Sequence, residues 1–165
     1  MNHKMRVLAG VLVVGLLTMA LSGCAQATAV PTATPAPPAV LVTVAKNPIL
    51  GDVLVDGAGM TLYLYTKDSP NVSNCSGTCA QNWPPYLVPS GGIVKGSSTI
   101  SASLSTIQRT DGTVQVAVNG MPVYYFIKDK VAGDVFGQGV GGIWFVLDTG
   151  GNKVTTALPT AAPKP

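Results

Sequence analysis

Two cysteines and a tryptophan stand close together in the stretch NCSGTCAQNWPP, residues 74–85. Cys75 and Cys79 have the spacing C-x-x-x-C, and Trp83 follows four positions later. Soft thiolate ligands select Cu(I), and two nearby thiols in an oxidising compartment normally form a disulfide. The stretch therefore allows three interpretations: a copper site, a redox pair or a structural disulfide.

The N-terminal region has the pattern of a bacterial lipoprotein signal peptide. Residues 1–23 contain a basic start, an apolar run over residues 7–21 and small residues directly before Cys24. A helix of 15 apolar residues spans only about 22 Å of a hydrocarbon core about 30 Å thick, which argues against a transmembrane anchor. We therefore predict cleavage before Cys24 and lipid attachment to its thiol. The protein would then be extracytoplasmic, held by lipid at the bacterial cell membrane or outer membrane.

Composition divides the remaining chain into three parts. Residues 24–40 are rich in Pro, Ala and Thr and are predicted to be an extended tether. Residues 158–165 have a similar composition and are predicted to be a flexible tail. Residues 41–157 are then one folded domain by length.

The charged residues of the chain exclude several classes of function. Its single His, His3, precedes the predicted cleavage site, and the chain contains no Glu. From Cys24 onward, eight Lys and Arg residues stand against seven Asp residues, so the net charge is about +1. Nucleic acid binding needs a basic patch, and general base catalysis usually needs a His or a paired carboxylate. We therefore expect neither a nucleic acid partner nor an enzyme.

An internal repeat with an offset of 61 residues organises the domain. Residues of the same type recur at this offset along the chain without gaps: Gly51 and Gly112, Val53 and Val114, Gly59 and Gly120, Met60 and Met121, Tyr63 and Tyr124, Asp68 and Asp129, and Trp83 and Trp144. The chain therefore contains two copies of one unit, near residues 41–90 and 102–156.

Both copies have the pattern of β-structure. Residues 60–65 alternate between two faces, and residues 121–127 do the same. Asp56-Gly57 and Asn119-Gly120 are hairpin turn signals before these strands. No window of the mature chain shows a helical period. The fold class is predicted to be all-β, with two tandem pseudosymmetric repeats forming one small sandwich or a partly closed barrel.

The paired stretches Tyr-Leu-Tyr-Thr-Lys-Asp68 and Tyr-Tyr-Phe-Ile-Lys-Asp129 resemble the Y-x-[FWY]-x-x-D motif of a family of predicted bacterial lipoproteins that carry a secreted repeat of unknown function. The loops that follow the motif, each ending at a tryptophan, are also similar to that family. The resemblance implies an exported, lipid-anchored repeat protein without an assigned activity. The repeat-motif residues are Tyr63, Tyr65, Asp68, Trp83, Tyr124, Phe126, Asp129 and Trp144.

The repeat also bears on the two cysteines. The offset places Cys75 opposite Phe136 and Cys79 opposite Val140. This pattern predicts a buried disulfide in one copy and an equivalent apolar contact in the other, rather than a shared reactive site. A copper site through Cys75 and Cys79 is the alternative, although the mature chain lacks the His that exported copper chaperones add to such a thiolate pair.

The aromatic residues and the aspartates of the motif each have two interpretations. The rings either fill a core or form a stacking surface for a glycan, a peptide or a planar cofactor, and we predict the core for Trp83 and Trp144. For Asp68 and Asp129, an Asx-turn is preferred over a Ca²⁺ site because no carboxylates cluster around them in sequence. The glycines of residues 137–142 fit the dinucleotide pattern G-x-G-x-x-G, but a predicted strand follows them, so they are interpreted as a tight loop.

These observations predict a lipid-anchored cell-envelope protein that acts as a non-enzymatic binding or structural module. Its partners would be the membrane, through Cys24, and an envelope protein or a glycan. No cofactor is expected. The alternative is an envelope copper-binding or thiol-redox protein that acts through Cys75 and Cys79.

Overall fold

The structure is a computed structural model that describes residues 36–159. The predicted signal peptide, Cys24 and most of the predicted tether lie outside the described residues, as do the last residues of the predicted tail. Within the described range, no helix has the length and apolar character that crossing a membrane requires.

The described residues form two β-sheets, which confirms the predicted all-β class in its sandwich form. No closed barrel forms within residues 36–159. One short α-helix, α1, spans Thr78–Asn82, and a single 3-10 turn spans Val140–Gly142. No helix was expected, because a single turn is too short to show a period in sequence. The strands are β1 (Ala39–Asn47), β2 (Gly51–Asp56), β3 (Tyr63–Tyr65), β4 (Leu87–Val88), β5 (Ile93–Gly96), β6 (Leu104–Gln108), β7 (Val114–Val118), β8 (Met121–Tyr124) and β9 (Trp144–Val146).

The first sheet has the order β2-β1-β5. β1 and β2 form an antiparallel hairpin, and the side chain of Asn47 accepts backbone N–H groups of Ile49 and Leu50 in its turn. β5 pairs with β1 in parallel, with Ala39 opposite Ile93. The beginning of β1 therefore lies beside β5.

The second sheet places the two motif strands side by side. Its order is β4-β7-β8-β3-β9, with β6 on the other edge of β7. The turn between β7 and β8 is the predicted Asn119-Gly120, both with positive φ, 50° and 77°, as a tight hairpin requires. β3 and β8 are antiparallel, and Tyr63 lies directly opposite Tyr124. These tyrosines occupy the same motif position, so a pseudo-two-fold axis passes between them.

Each motif strand also pairs with the tryptophan segment of the other repeat. Tyr63 pairs with Val146 in β9, and Tyr124 forms the corresponding bridge with Pro85, just after Trp83. The two copies are thus interleaved, since neither motif strand has its full set of backbone partners within its own repeat. This interleaving makes the two copies one folding unit.

The predicted alternation of the motif strands is confirmed. Tyr63 packs in one core with the two tryptophans, whereas Leu62 packs in a second core with Val42, Leu54 and other aliphatic residues. Both faces of the central strands are therefore covered. The aromatic core takes the motif rings, and the aliphatic core joins the two sheets.

Four rings form a continuous stack in the aromatic core. The indoles of Trp83 and Trp144 are parallel, with ring centroids 3.9 Å apart and an angle of 3° between the planes. Tyr65 stacks on Trp144 and Phe126 stacks on Trp83, each at 4.2 Å between centroids. The order Tyr65-Trp144-Trp83-Phe126 alternates between repeats and obeys the pseudo-two-fold. Both indoles are buried, which favours the core interpretation over an exposed stacking surface.

We predict that Trp83→Ala and Trp144→Ala each lower the free energy of unfolding by about 3–5 kcal/mol, because each deletes a buried ring and leaves its stacked neighbours unsupported. Denaturant unfolding monitored by circular dichroism measures the loss. Phe136→Ala is the matched control, since that ring is 62% exposed, and it should change stability by no more than about 0.5 kcal/mol. Unchanged stability in both tryptophan variants would contradict their assignment to the core.

Candidate functional site

The motif tyrosines and aspartates are hydrogen-bonded across the repeats. The hydroxyl of Tyr63 donates to Oδ2 of Asp129 at 2.6 Å, and the hydroxyl of Tyr124 donates to Oδ2 of Asp68 at 2.6 Å. Each pair takes its tyrosine from one repeat and its aspartate from the other. The first and last residues of the Y-x-[FWY]-x-x-D motif are therefore partners, but between copies rather than within one. We call these two hydrogen bonds the Tyr-Asp exchange.

Burial sets the electrostatics of the exchange. Desolvation raises the pKa of Tyr63 and Tyr124 far above the ordinary tyrosine value, and the adjacent carboxylates raise it further. Both phenols are therefore neutral donors at physiological pH. Desolvation also raises the pKa of Asp68 and Asp129, although the hydrogen bonds from tyrosine and backbone lower it in part.

The second carboxylate oxygen of each aspartate closes the loop that follows it. Oδ1 of Asp68 accepts the backbone N–H of Asn74 at 2.6 Å, and Oδ1 of Asp129 accepts that of Phe136 at 3.0 Å. The predicted Asx-turns are therefore wrong, because an Asx-turn bonds two residues onward and these bonds reach six and seven residues onward. One side chain thus holds both a partner repeat and a loop, which explains why each motif ends in Asp.

The two loops are out of register by one residue relative to the 61-residue offset. We call residues 66–79 the first-repeat loop and residues 127–140 the second-repeat loop. The loop-closing bond spans one residue more in the second, as Asn74 and Phe136 are 62 positions apart. The same shift appears in matching positive-φ positions: Asn71 (63°) with Gly133 (88°), and Gly77 (54°) with Gly139 (74°).

This shift corrects the predicted correspondence between the two cysteines and residues of the second repeat. In structure, Cys75 corresponds to Gly137, and Phe136 corresponds to the exposed Asn74. The apolar contact predicted for the second repeat is wrong, because Phe136 and Val140 are 62% and 37% exposed. The additional residue in the second-repeat loop turns the phenylalanine side chain outward. A Cβ at Gly137 would lie 2.7 Å from the ring of Tyr63, so glycine is required where the other repeat has Cys75.

The first-repeat loop is held by the predicted disulfide between Cys75 and Cys79. Cys75 is fully buried in the aromatic core, and Cys79 is half-buried. Because the two sulfur atoms are bonded to each other, the free thiolates that a copper site would need form only after reduction. Within residues 36–159, no three His, Cys, Asp or Glu side chains are grouped as metal ligands would be.

A buried arginine also holds the first-repeat loop through hydrogen bonds. The guanidinium of Arg109 donates to Oγ of Ser73 at 2.7 Å, to the carbonyl oxygen of Cys75 at 2.7 Å and to Oε1 of Gln115 at 2.6 Å. Ser73 is in turn hydrogen-bonded to the hydroxyl of Tyr124 at 2.7 Å. The network therefore joins a buried cation to the Tyr-Asp exchange on the first-repeat side.

Sequence reasoning missed this network. No sequence pattern singles out Arg109 or Ser73 as members of a site. One available signal was Gln115, a polar residue within the apolar stretch of β7, because a fully buried amide in a strand needs partners. The tight loop predicted for residues 137–142 is confirmed, since their glycines form a turn and β9 follows it.

Every buried side-chain nitrogen and oxygen within residues 36–159 has a hydrogen-bond partner. The motif side chains are thus engaged with one another, and the site is a structural junction between repeats.

A family model described as a secreted repeat of unknown function matches residues 44–86 and residues 105–148. The chain belongs to this family. The two matched segments of the secreted repeat coincide with the two interleaved copies. No curated protein and no solved structure matches the chain.

We predict that Tyr63→Phe lowers the free energy of unfolding by about 1–3 kcal/mol at pH 7, because Oδ2 of the buried Asp129 loses its donor and the N–H of Gly137 loses its acceptor. Tyr65→Phe is the matched control, since the second repeat has Phe126 at that position. Denaturant unfolding of both variants measures the difference.

The same variant has a predicted pH dependence. Burial raises the folded-state pKa of Asp129, so the stability contributed by its neutral form is complete below the ordinary value of about 3.9 and is lost as pH rises through the folded value. Removing the Tyr63 donor raises the folded pKa further, which enlarges that loss. The destabilisation by Tyr63→Phe should therefore shrink as the pH falls from 7 toward 4. A destabilisation that grows on acidification would contradict the exchange.

For the disulfide, we expect Cys75→Ala/Cys79→Ala to destabilise the protein by about 2 kcal/mol through loop entropy alone, with a further loss from the buried contacts of Cys75. Reduction of the wild type should give a loss in the same direction, and the alanine variant should not respond to reductant. One equivalent of Cu(I) bound by the reduced protein, and lost in this variant, would instead favour the copper alternative.

Proposed function

We propose that this protein is a lipid-anchored module of the bacterial cell envelope that binds a partner rather than catalysing a reaction. The observation that carries the proposal is the contrast between the motif side chains and the exposed apolar side chains. The motif residues are turned inward and satisfy one another, whereas the largest exposed apolar groups of one loop are turned to solvent.

The engaged state of the motif residues supports a non-enzymatic role. A catalytic site needs a nucleophile, acid or base whose reactive atom can reach a substrate. Here the hydroxyls of Tyr63 and Tyr124 donate to buried carboxylates, and each of those carboxylates also holds a loop. Using any of these groups for chemistry would dismantle the junction between the repeats.

The secreted character of the family and the disulfide support an extracytoplasmic location, because disulfides persist in oxidising compartments. Lipid attachment at Cys24 is proposed from the sequence pattern around it. The tether between Cys24 and β1 would keep the domain within a chain length of the membrane.

The exposed groups narrow the partner. A glycan or planar cofactor bound by ring stacking needs exposed rings, and Phe136 is the one aromatic residue within residues 36–159 that is more than half exposed. A single ring with aliphatic neighbours suits an apolar partner surface better than a sugar chain. We therefore place the binding function in the second-repeat loop.

Intact mass measurement of the detergent-extracted protein tests the anchor. We expect the chain from Cys24 onward with a diacylglyceryl group on that cysteine. Cys24→Ala should lose the lipid mass, whereas Cys75→Ala/Cys79→Ala should retain it. An unlipidated wild type in the membrane fraction would contradict the proposed anchor.

A further inference from the structure

The two loops that the repeat makes equivalent present different surfaces. The first-repeat loop is held by the disulfide and Arg109 and carries one large exposed apolar side chain, Val72. The second-repeat loop has neither support. It exposes four large apolar side chains, Ile127, Val131, Phe136 and Val140, at 45%, 62%, 62% and 37%.

The second-repeat loop is nevertheless held by its own hydrogen bonds. The carboxylate of Asp134 accepts the backbone N–H groups of Lys130 and Val131, and Asp129 accepts that of Phe136. The apolar side chains are thus presented from a fixed backbone, and little conformational entropy would be lost when they enter a partner. Covering such exposed apolar side chains with a partner surface would contribute favourable burial.

Lysines are the charged side chains that the second-repeat loop exposes. Lys128 and Lys130 are exposed, while Asp129 between them is buried and bonded to Tyr63. Asp134 is half-buried and already accepts two backbone groups. A loop that exposes both apolar side chains and lysines is complementary to the boundary between anionic headgroups and acyl chains.

The second-repeat loop lies near the place where the described chain enters the domain. The turn after β2 contacts the second-repeat loop, where Gly133 donates its N–H to the carbonyl of Gly59 at 3.2 Å. The same turn contacts the beginning of β1, since a Cβ at Gly57 would lie 3.4 Å from Cβ of Leu41. The chain therefore enters the domain at the end that carries the loop.

From these four observations we propose that the second-repeat loop docks on an anionic lipid surface, with Val131 and Phe136 at the depth of the acyl chains and Lys128 and Lys130 on the headgroups. The proposal names the partner of the binding function inferred above. The 15 residues from Cys24 to Pro38 extend to at most about 50 Å, so an anchored domain is always near the bilayer and a weak docking contact suffices.

Vesicle binding without the lipid anchor tests this proposal. The probe is the mature chain with Cys24→Ser, mixed with vesicles of equimolar phosphatidylglycerol and phosphatidylethanolamine or of phosphatidylcholine alone, and scored by cosedimentation. We expect binding to the anionic vesicles that weakens as salt is raised. Because lipidation is absent, this result is independent of the mass measurement on the anchor.

Variants divide the contribution of the two kinds of side chain. Phe136→Ser should reduce partitioning by about 10-fold, and Lys128→Gln/Lys130→Gln by about 25-fold at low salt on anionic vesicles only. Val72→Ser and Lys67→Gln, in the first-repeat loop, are matched controls and should stay within about 2-fold of the parent. Each variant is used only if its unfolding midpoint equals that of the parent.

A direct readout of depth is a Phe136→Trp variant whose added fluorescence should be quenched by vesicles with brominated acyl chains, since Trp83 and Trp144 are buried. Absence of vesicle binding by the parent would overturn the proposal, and so would equal losses in the control variants. A change in sedimentation coefficient on Phe136→Ser without vesicles would also overturn it, by assigning the loop to a contact between two copies of the chain.

Discussion

The hydrogen bond between a tyrosine of one repeat and an aspartate of the other is the contact on which the rest of this molecule depends. It is made twice, by Tyr63 with Asp129 and by Tyr124 with Asp68. A buried carboxylate without a donor is costly, so neither repeat can leave its aspartate unpartnered. The requirement makes the two copies mutually dependent.

Packing reinforces this dependence. The strands that carry the tyrosines are adjacent, and each also pairs with the tryptophan segment of the other copy. The indoles therefore meet face to face at the centre of a four-ring stack. Backbone pairing, ring stacking and the Tyr-Asp exchange all cross the same pseudo-two-fold axis, so an isolated repeat would lack partners of all three kinds.

The pseudosymmetry of the core does not extend to the two loops. Their exposed side chains can therefore differ with little effect on the packing of the core. The first-repeat loop takes a disulfide and a buried arginine, whereas the second-repeat loop has Gly137 against Tyr63 and an additional residue before its turn. Both loops are still fastened by the same aspartate position. Because the same aspartate position holds both loops, their other residues can differ. The first-repeat loop is polar and closed by a disulfide, whereas the second-repeat loop presents apolar and cationic side chains.

The repeat is recognisable from identical residue types 61 positions apart. The alternation of Tyr63 with Leu62, the Asn119-Gly120 turn and the pairing of Cys75 with Cys79 could also be predicted, because each is fixed by residues close together in the chain. Local pattern also favoured a core position for the tryptophans, since large rings are what a small β-domain buries. The partner of each motif aspartate was decided only by the tertiary structure, because that partner lies 56 or 66 residues away in the chain. The outward turn of Phe136 was likewise decided in three dimensions. A one-residue shift inside a loop leaves the flanking tryptophans at the same offset in sequence, yet it moves a side chain from the buried side of the backbone to the surface.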